Sequence, residues 1–534
     1  MKKRFGAMLD MSRNAVMTVE AVKKYADYLK SFGYNCLLLY TEDTYEVNNE
    51  PFFGYRRGKY SKEELKLLNE YCDSIDMELI PCIQTLAHLN AIFRWKDYVD
   101  INDIDDILLV DDERTYTLIE NIFSTLSECF TTRYVHIGMD EAWHLGVGKY
   151  LEKHGHHARF EILSEHLNKV VNIAKKHGFT CIMWSDMFFN QATGAGYYDY
   201  EKFKIDDHVK SLVNKDVELV YWDYYHTEKT DYSAMVEAHK QLTDNPVWFA
   251  GGAWSWVGFA PHNEYSLKTM LPAMQICKEK NIDNVFITLW GDNGAECSKF
   301  GLLPALYRIK CEYDGITDEQ LVKSNFYKLT GENYDDFFAL DLPDKLSDKC
   351  DYLSNPCKYI LYGDLFNEVF SDGYIEGGEK TFLKNAEILK NAKSKNFNYL
   401  FKTLYKLCLA LYAKYTLGKD IRAAYKSGDK TQLTLCIKRI SDLKLKINDF
   451  YKSFGKQWFK ENKPHGFDVQ DIRIGGLIYR LDACKRRLQN YINGKISDIP
   501  ELEEDLLPIY SKNGEKDNIG FINGWSVNAT VNII

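Results

Sequence analysis

The chain has 534 residues and a mass of 62.2 kDa, too long for one small core, and its 45% hydrophobic and 27% charged residues exclude a disordered polymer. Its 67 Lys and Arg against 77 Asp and Glu give a formal charge of −10, which argues against a nucleic-acid surface and leaves a neutral small substrate or polymer end as the expected partner. With no signal-like start, no run of about 18 apolar residues, and 13 Cys scattered through segments such as those around Cys36, Cys82, Cys181 and Cys277, it reads as a reduced cytoplasmic protein that does not enter a membrane.

Residues 5–9 are a short apolar run ending in Asp10 and Arg13, and 18–32 follow at helical spacing up to Gly33, which predicts strand then helix. The alternation repeats. Residues 36–40 read as a strand followed by Glu42 and Asp43, and 61–76 as a helix opened by Ser61 with Glu64 in capping-box spacing. Strand three is expected over 78–85, ending near His88, with its helix over 111–130. Strand four, 134–137, is followed by a helix over 159–177, closed by Gly178. Strands five to eight are expected at 180–184, 217–222, 247–250 and 284–290, with a helix over 264–280 between the last two. Eight strand-helix units in about 310 residues define an α/β fold, a (β/α)8 TIM barrel, whose active site lies at the carboxyl ends of the strands.

Beyond residue 312 the strand pattern stops, so the barrel is assigned to 1–312 and an α-helical C-terminal domain to 313–534. Long helices are expected over 317–329, 379–415, 430–462 and 470–492, with a looped connection over 341–378 and a terminal strand or packing segment over 525–534. The helical domain serves packing or dimerisation, and a homodimer is left open.

The chemistry concentrates at residues 134–143, YVHIGMDEAW. A short strand, a glycine that relieves the backbone, and two adjacent carboxylates, Asp140 and Glu141, form a place where one acid can be kept ionised and its neighbour protonated. The 37 Tyr, 29 Phe and 10 Trp suit a site that stacks on flat ligands. Polar and Trp residues fall where the barrel strands end.

Four motifs carry a family resemblance: D-x-x-R (Asp10, Arg13), HIGMDE (His136 to Glu141), MWSD (Trp184, Asp186) and LWGD (Trp290, Asp292). Over roughly its barrel portion the chain resembles the β-N-acetylhexosaminidases of glycoside hydrolase family 20, in the compact form without an auxiliary domain before the barrel. It departs from the family pattern at Met139, where Gly is usual, and at Asp292, where Glu is usual. The resemblance implies substrate-assisted retention: the 2-acetamido oxygen attacks the anomeric carbon, Glu141 is the acid and then the base, and Asp140 accepts the acetamide N–H. It further implies Arg13 and Asp292 on sugar hydroxyls, Trp184, Trp254 and Trp290 as apolar walls, and Tyr224 or Tyr225 on the acetamide oxygen, while His88 and His136 are either bonded around the carboxylates or satisfied core histidines. Asp186 and Asp223 are weaker site candidates. The implied partners are oligosaccharide or glycoconjugate ends bearing N-acetylglucosamine or N-acetylgalactosamine, with no cofactor and no metal.

Three readings compete. The HGHH run at 154–157 raises a metal-dependent barrel hydrolase, although such barrels place His-x-His on strand one, where this chain has Asp-Met-Ser. A catalytically silent sugar-binding barrel is opposed by the intact Asp140 and Glu141. A glycosidase for sugars without an acetamido group would need a second catalytic carboxylate on another strand.

Overall fold

The structure is a computed structural model that describes residues 3–193, 196–203, 205–346, 355–507, 525–528 and 530. Two units are present. The first comprises Met1–Ala253, Ser266–Trp290 and Ala305–Val322, and the second Trp254–Tyr265, Gly291–Pro304 and Lys323–Ile534.

The first unit is a closed barrel of eight parallel strands: β1 (Arg4–Asp10), β2 (Cys36–Tyr40), β3 (Glu78–Cys82), β4 (Tyr134–His136), β5 (Thr180–Trp184), β6 (Val217–Trp222), β7 (Trp248–Gly252) and β8 (Asn284–Leu289), with β8 closing onto β1. The strands are near-continuous apolar runs because both of their faces are covered: β2 and β8 are buried along their whole length. Inside, Met8, Leu38 and Ile80 lie in register, and Tyr40, Cys82 and His136 form the next layer towards the carboxyl ends. Trp184, Trp248 and Phe286 fill the rest of the interior, so the barrel is a packed core. The capping box at Ser61 and Glu64 is present at the start of the helix Lys62–Ser74.

Strand three stops at Cys82 rather than Thr85. Ile83 N–H still donates to His136 O of β4 at 2.8 Å, and beyond it the polar groups serve the neighbouring turn; Thr85 Oγ1, for example, donates to Ile137 O at 2.8 Å.

The second unit is helical, with Gly378–Asn391, Asn398–Lys414, Leu417–Lys426, Lys430–Glu461 and Phe467–Ile492 as its longer helices. The single helix expected over 379–415 is two. The break falls where Glu332 Oε2 and Oε1 accept the N–H groups of Lys395 and Asn396 at 3.0 and 2.8 Å, which replaces the helical bonds those residues would otherwise make. The expected loop over 341–378 holds the helix Pro356–Tyr362, begun by a proline whose missing N–H costs nothing there; residues 347–354 lie outside the described residues. Of the tail expected as a strand or packing segment, Trp525–Asn528 is a helical turn, and 529 and 531–534 lie outside the described residues. Among the described residues no helix is long and apolar enough to cross a membrane, and twelve cysteines are free and buried.

The core of this unit is aromatic. Phe450 stacks on Phe454 at 5.7 Å, and Phe259 meets both edge-on. Lysines are buried in this unit as well. Lys358 pairs with Glu296, which also binds Arg473 at 3.2 Å, and Lys414 donates to Leu361 O and Gly363 O at 2.5 and 2.6 Å.

Candidate active site

The turn after β4 is forced by its residues. Gly138 and Met139 take left-handed backbones, φ 73° and 66°, and Glu141 does the same at 52°. A side chain at 138 would stand 2.0 Å from Gln84 Oε1 and 2.8 Å from Ile83 O, so only glycine admits the approach of β3. Gln84 uses that space. Its Oε1 accepts the Met139 N–H at 3.2 Å, while Nε2 donates to Asp140 Oδ1 at 2.8 Å and to the Tyr40 hydroxyl at 2.9 Å. Tyr40 in turn donates to Glu42 Oε1 at 3.0 Å, and Glu42 holds Arg13 at 3.1 Å. The ends of β1, β2, β3 and β4 are thus one hydrogen-bonded array.

Asp140 and Glu141 are placed differently. The Asp140 side chain is 13% exposed and that of Glu141 45%. His88, left-handed at φ 57°, donates its N–H to Asp106 Oδ2 at 3.1 Å and sets Nε2 3.2 Å from Asp140 Oδ2 and 3.6 Å from Glu141 Oε2. Burial alone would lower the His88 pKa, but the Asp140 carboxylate outweighs it and raises it to about 10. Reciprocally, burial raises Asp140, and the His88 charge with hydrogen bonds from His88 and Gln84 overrides it, holding this carboxyl below the ordinary range. Asp140 is an anchored anion beside a solvent-open acid.

A third carboxyl lies behind them. Asp186, just past β5 and wholly buried, accepts the Glu141 N–H on Oδ2 at 3.0 Å. Burial, and then the charge of Asp140, push it up to about 8, so it is the neutral member of the group.

His136 takes the core position, the second of its two expected places. It lies wholly buried beneath the turn, its ring 4.3 Å from that of Trp184. There Nδ1 accepts the Gly138 N–H at 3.1 Å, and burial lowers its pKa to about 3. It is a neutral support of the turn, because β4 alternation turns its side chain into the barrel. Trp184 is likewise 1% exposed and part of the barrel core. Trp290 is half-buried, edge-on to Tyr40 at 4.8 Å.

Tyr224 and Tyr225, in the bend just past β6, point to different environments. Tyr224 is buried, stacked on Trp222 at 5.4 Å, hydrogen-bonded to the side chains of Trp290 and Thr288, and within range of the Asp140 charge. Tyr225 is 46% exposed. Asp223 accepts from Tyr221 Oη at 2.6 Å and from the Tyr225 N–H at 3.1 Å, and it pairs with His226 at 2.7 Å, so it organises this loop. Trp254 and Asp292 belong to the second unit, where Trp254 is buried and stacks on Trp256 at 4.1 Å and Asp292 opens a short 3-10 turn. The histidines of the 154–157 run are exposed, with His157 Nε2 3.2 Å from His154 O.

Gln84, Glu42, Asp106 and Trp222 are additions to the sequence-derived set. Gln84 carried one signal, a polar residue closing an apolar strand run.

An eight-stranded parallel barrel with paired acids on the turn after its fourth strand is the architecture of a glycoside-hydrolase catalytic domain. The model of the glycosyl hydrolase family 20 catalytic domain matches residues 4–281, more than half of the chain, and the chain belongs to that family. The model of the glycoside hydrolase 20C C-terminal domain matches residues 335–520. Hexosaminidase D of Bos taurus is 22% identical over 242 residues, covering 43% of this chain and 64% of the bovine protein. Hexosaminidase D of Homo sapiens is 22% identical over 205 residues, covering 36% of this chain and 40% of the human protein. The match thus spans less than two thirds of either relative. Among solved structures, the family 20 exo-β-N-acetylglucosaminidase of Vibrio harveyi aligns with a TM-score of 0.47 and 15% identity over 61% of this chain and 58% of its own.

Proposed function

We propose that this chain is an exo-acting, retaining β-N-acetylhexosaminidase that removes terminal β-linked N-acetylglucosamine or N-acetylgalactosamine by substrate-assisted catalysis. The observation that carries the reading is the unequal treatment of two adjacent acids: Asp140 is largely enclosed and held as an anion between Gln84 and His88, while Glu141 opens to solvent. Family membership supplies the reaction class.

In this reading the acetamide oxygen of the substrate attacks C1 as Glu141 delivers its proton to the glycosidic oxygen, and the C1–O bond to the leaving group breaks. The ring-closed oxazolinium ion keeps its positive charge next to Asp140, which accepts the acetamide N–H. Glu141, now a carboxylate, takes a proton from the water that opens the intermediate, so the configuration at C1 is retained. No cofactor is consumed. Of Tyr224 and Tyr225, we take Tyr224 as the candidate for the acetamide oxygen, since the Asp140 charge reaches it. Arg13 is suited to vicinal hydroxyls through its planar donors. Trp184 and Trp290 remain the candidates for an apolar wall. The buried free thiols support a reducing, cytoplasmic setting.

His88, Asp140 and Glu141 also bring one ligand atom each within 4.8 Å of one another, a spacing a metal would accept. An imidazole that keeps its proton up to about 10 favours the ion pair over coordination, which needs the neutral ring. Both readings meet one test: hydrolysis of aryl β-N-acetylglucosaminide, β-N-acetylgalactosaminide and β-glucoside by wild type and Glu141→Gln, with and without chelator. Cleavage restricted to the acetamido sugars, indifferent to chelator and falling about 10²-fold or more in the variant, is expected. Loss with chelator would move the assignment to a metal hydrolase, and cleavage of none of the three would move it to a sugar-binding protein.

A further inference from the structure

A left-handed backbone at a residue other than glycine is strained and persists only where its surroundings hold it. Glu141, at φ 52°, is held from both sides: its carbonyl accepts the Trp143 N–H at 2.7 Å, and its N–H donates to Asp186 Oδ2 at 3.0 Å. Asp186 is rigid in its turn. The residue before it, Ser185, is pinned by its N–H to Val220 O at 3.1 Å and by its hydroxyl to Tyr197 Oη at 3.0 Å and His239 Nε2 at 2.7 Å. Trp184 N–H donates across to Gly138 O at 3.3 Å, so the end of β5 is tied directly to the turn that carries both acids.

We propose that Asp186 is the positioning residue of the general acid: by accepting the Glu141 N–H it locks the left-handed backbone of that residue and so fixes where the Glu141 carboxyl stands relative to His88 and Asp140. The proposal rests on the hexosaminidase reading. It assigns Asp186 no contact with substrate. Because burial and the Asp140 charge keep Asp186 neutral up to about 8, asparagine copies its shape, its acceptor oxygen and its lack of charge, whereas alanine deletes the acceptor.

The test compares kcat/KM for two β-N-acetylglucosaminides, one with a 2,4-dinitrophenyl leaving group that departs without a proton and one a disaccharide whose leaving sugar needs the acid. A reacting group displaced by about 1 Å loses about 10²-fold, so Asp186→Ala should fall by about that factor on the disaccharide and by less than about threefold on the dinitrophenyl glycoside. Asp186→Asn should stay within about threefold of wild type on both. Should Asp186→Ala not fold, Asp186→Leu fills the volume and serves the same comparison. Equal losses on both substrates, or an Asn variant that folds yet is as impaired on the disaccharide as Ala, would overturn the proposal alone. A wild type that cleaves neither glycoside would overturn the hexosaminidase reading and the proposal with it.

Discussion

Replacing His88 by Gln removes the cation facing Asp140 and leaves a neutral donor in its place. The rise of His88 from 6.5 to about 10 corresponds, at about 1.4 kcal/mol for each tenfold change in proton affinity, to about 5 kcal/mol of preference for the imidazolium. Breaking a buried pair by removing one partner costs a similar 3–5 kcal/mol or about that. Without His88, burial is the dominant influence left on Asp140, so its pKa should climb from below the ordinary carboxylate range to above it. The stability supplied by the raised His88 is complete below its ordinary 6.5 and is lost as pH rises through about 10. That supplied by the depressed Asp140 is present above its ordinary 3.8 and is lost as pH falls through its lower folded value. The variant should therefore be most destabilised between about pH 4 and 6.5, by roughly 3 kcal/mol or more in urea titrations, with the deficit closing above about pH 10. Its acid limb in kcat/KM for an acetamido glycoside should also move to higher pH, since in the proposed mechanism Asp140 accepts the acetamide N–H as an anion. A variant within about 0.5 kcal/mol of wild type near pH 5.5, with an unmoved acid limb, would refute the electrostatic account of this pair.

Gly138→Ala should lose both stability and activity: the new methyl meets Gln84 Oε1 at 2.0 Å and Ile83 O at 2.8 Å on a backbone at φ 73°, and displacing Gln84 also frees Asp140 Oδ1. We expect at least about 2 kcal/mol in thermal or urea melts and a fall of about 10² in kcat/KM; wild-type values in both would show that the turn is soft. Lys414→Met tests the helical unit. Burial depresses Lys414 to about 7, so between that pH and its ordinary 10.5 the unfolded chain binds a proton that the folded chain does not, and the wild type should gain stability as pH rises through that window. Methionine abolishes the gain. The difference between the two proteins in urea titrations should consequently grow in favour of wild type from pH 7 to about pH 10, and a pH-independent difference would contradict the buried-lysine assignment.

The barrel was legible because parallel strands covered on both faces must be apolar runs, and because polar residues such as Asp10, Asp140 and Asp186 could be placed just beyond them. The helical unit was less so. Within residues 392–397 only Ser394, whose hydroxyl accepts the Phe397 N–H at 2.8 Å, marks the break locally; the acceptor that satisfies Lys395 and Asn396 is Glu332, more than sixty residues earlier. His136 illustrates the same limit within the site, since its sequence left a bond to the carboxylates and a core position equally open, while strand alternation sends its ring into the barrel.

Asp140 and Glu141 are adjacent, and no pattern in their own segment could say which is ionised. That is settled by pairings across strands. Gln84, 56 residues before Asp140, meets it because Cys82 is in register with His136 and Gly138 leaves room for the approach. Asp186, 45 residues after Glu141, meets its N–H because β5 lies beside β4. The sequence can therefore nominate the acids, but the division of labour between them is a property of the closed barrel, which brings one partner from each neighbouring strand to a single turn. A change at Gln84 or Asp186 should on this argument disturb the chemistry of the pair while leaving the HIGMDE segment itself untouched.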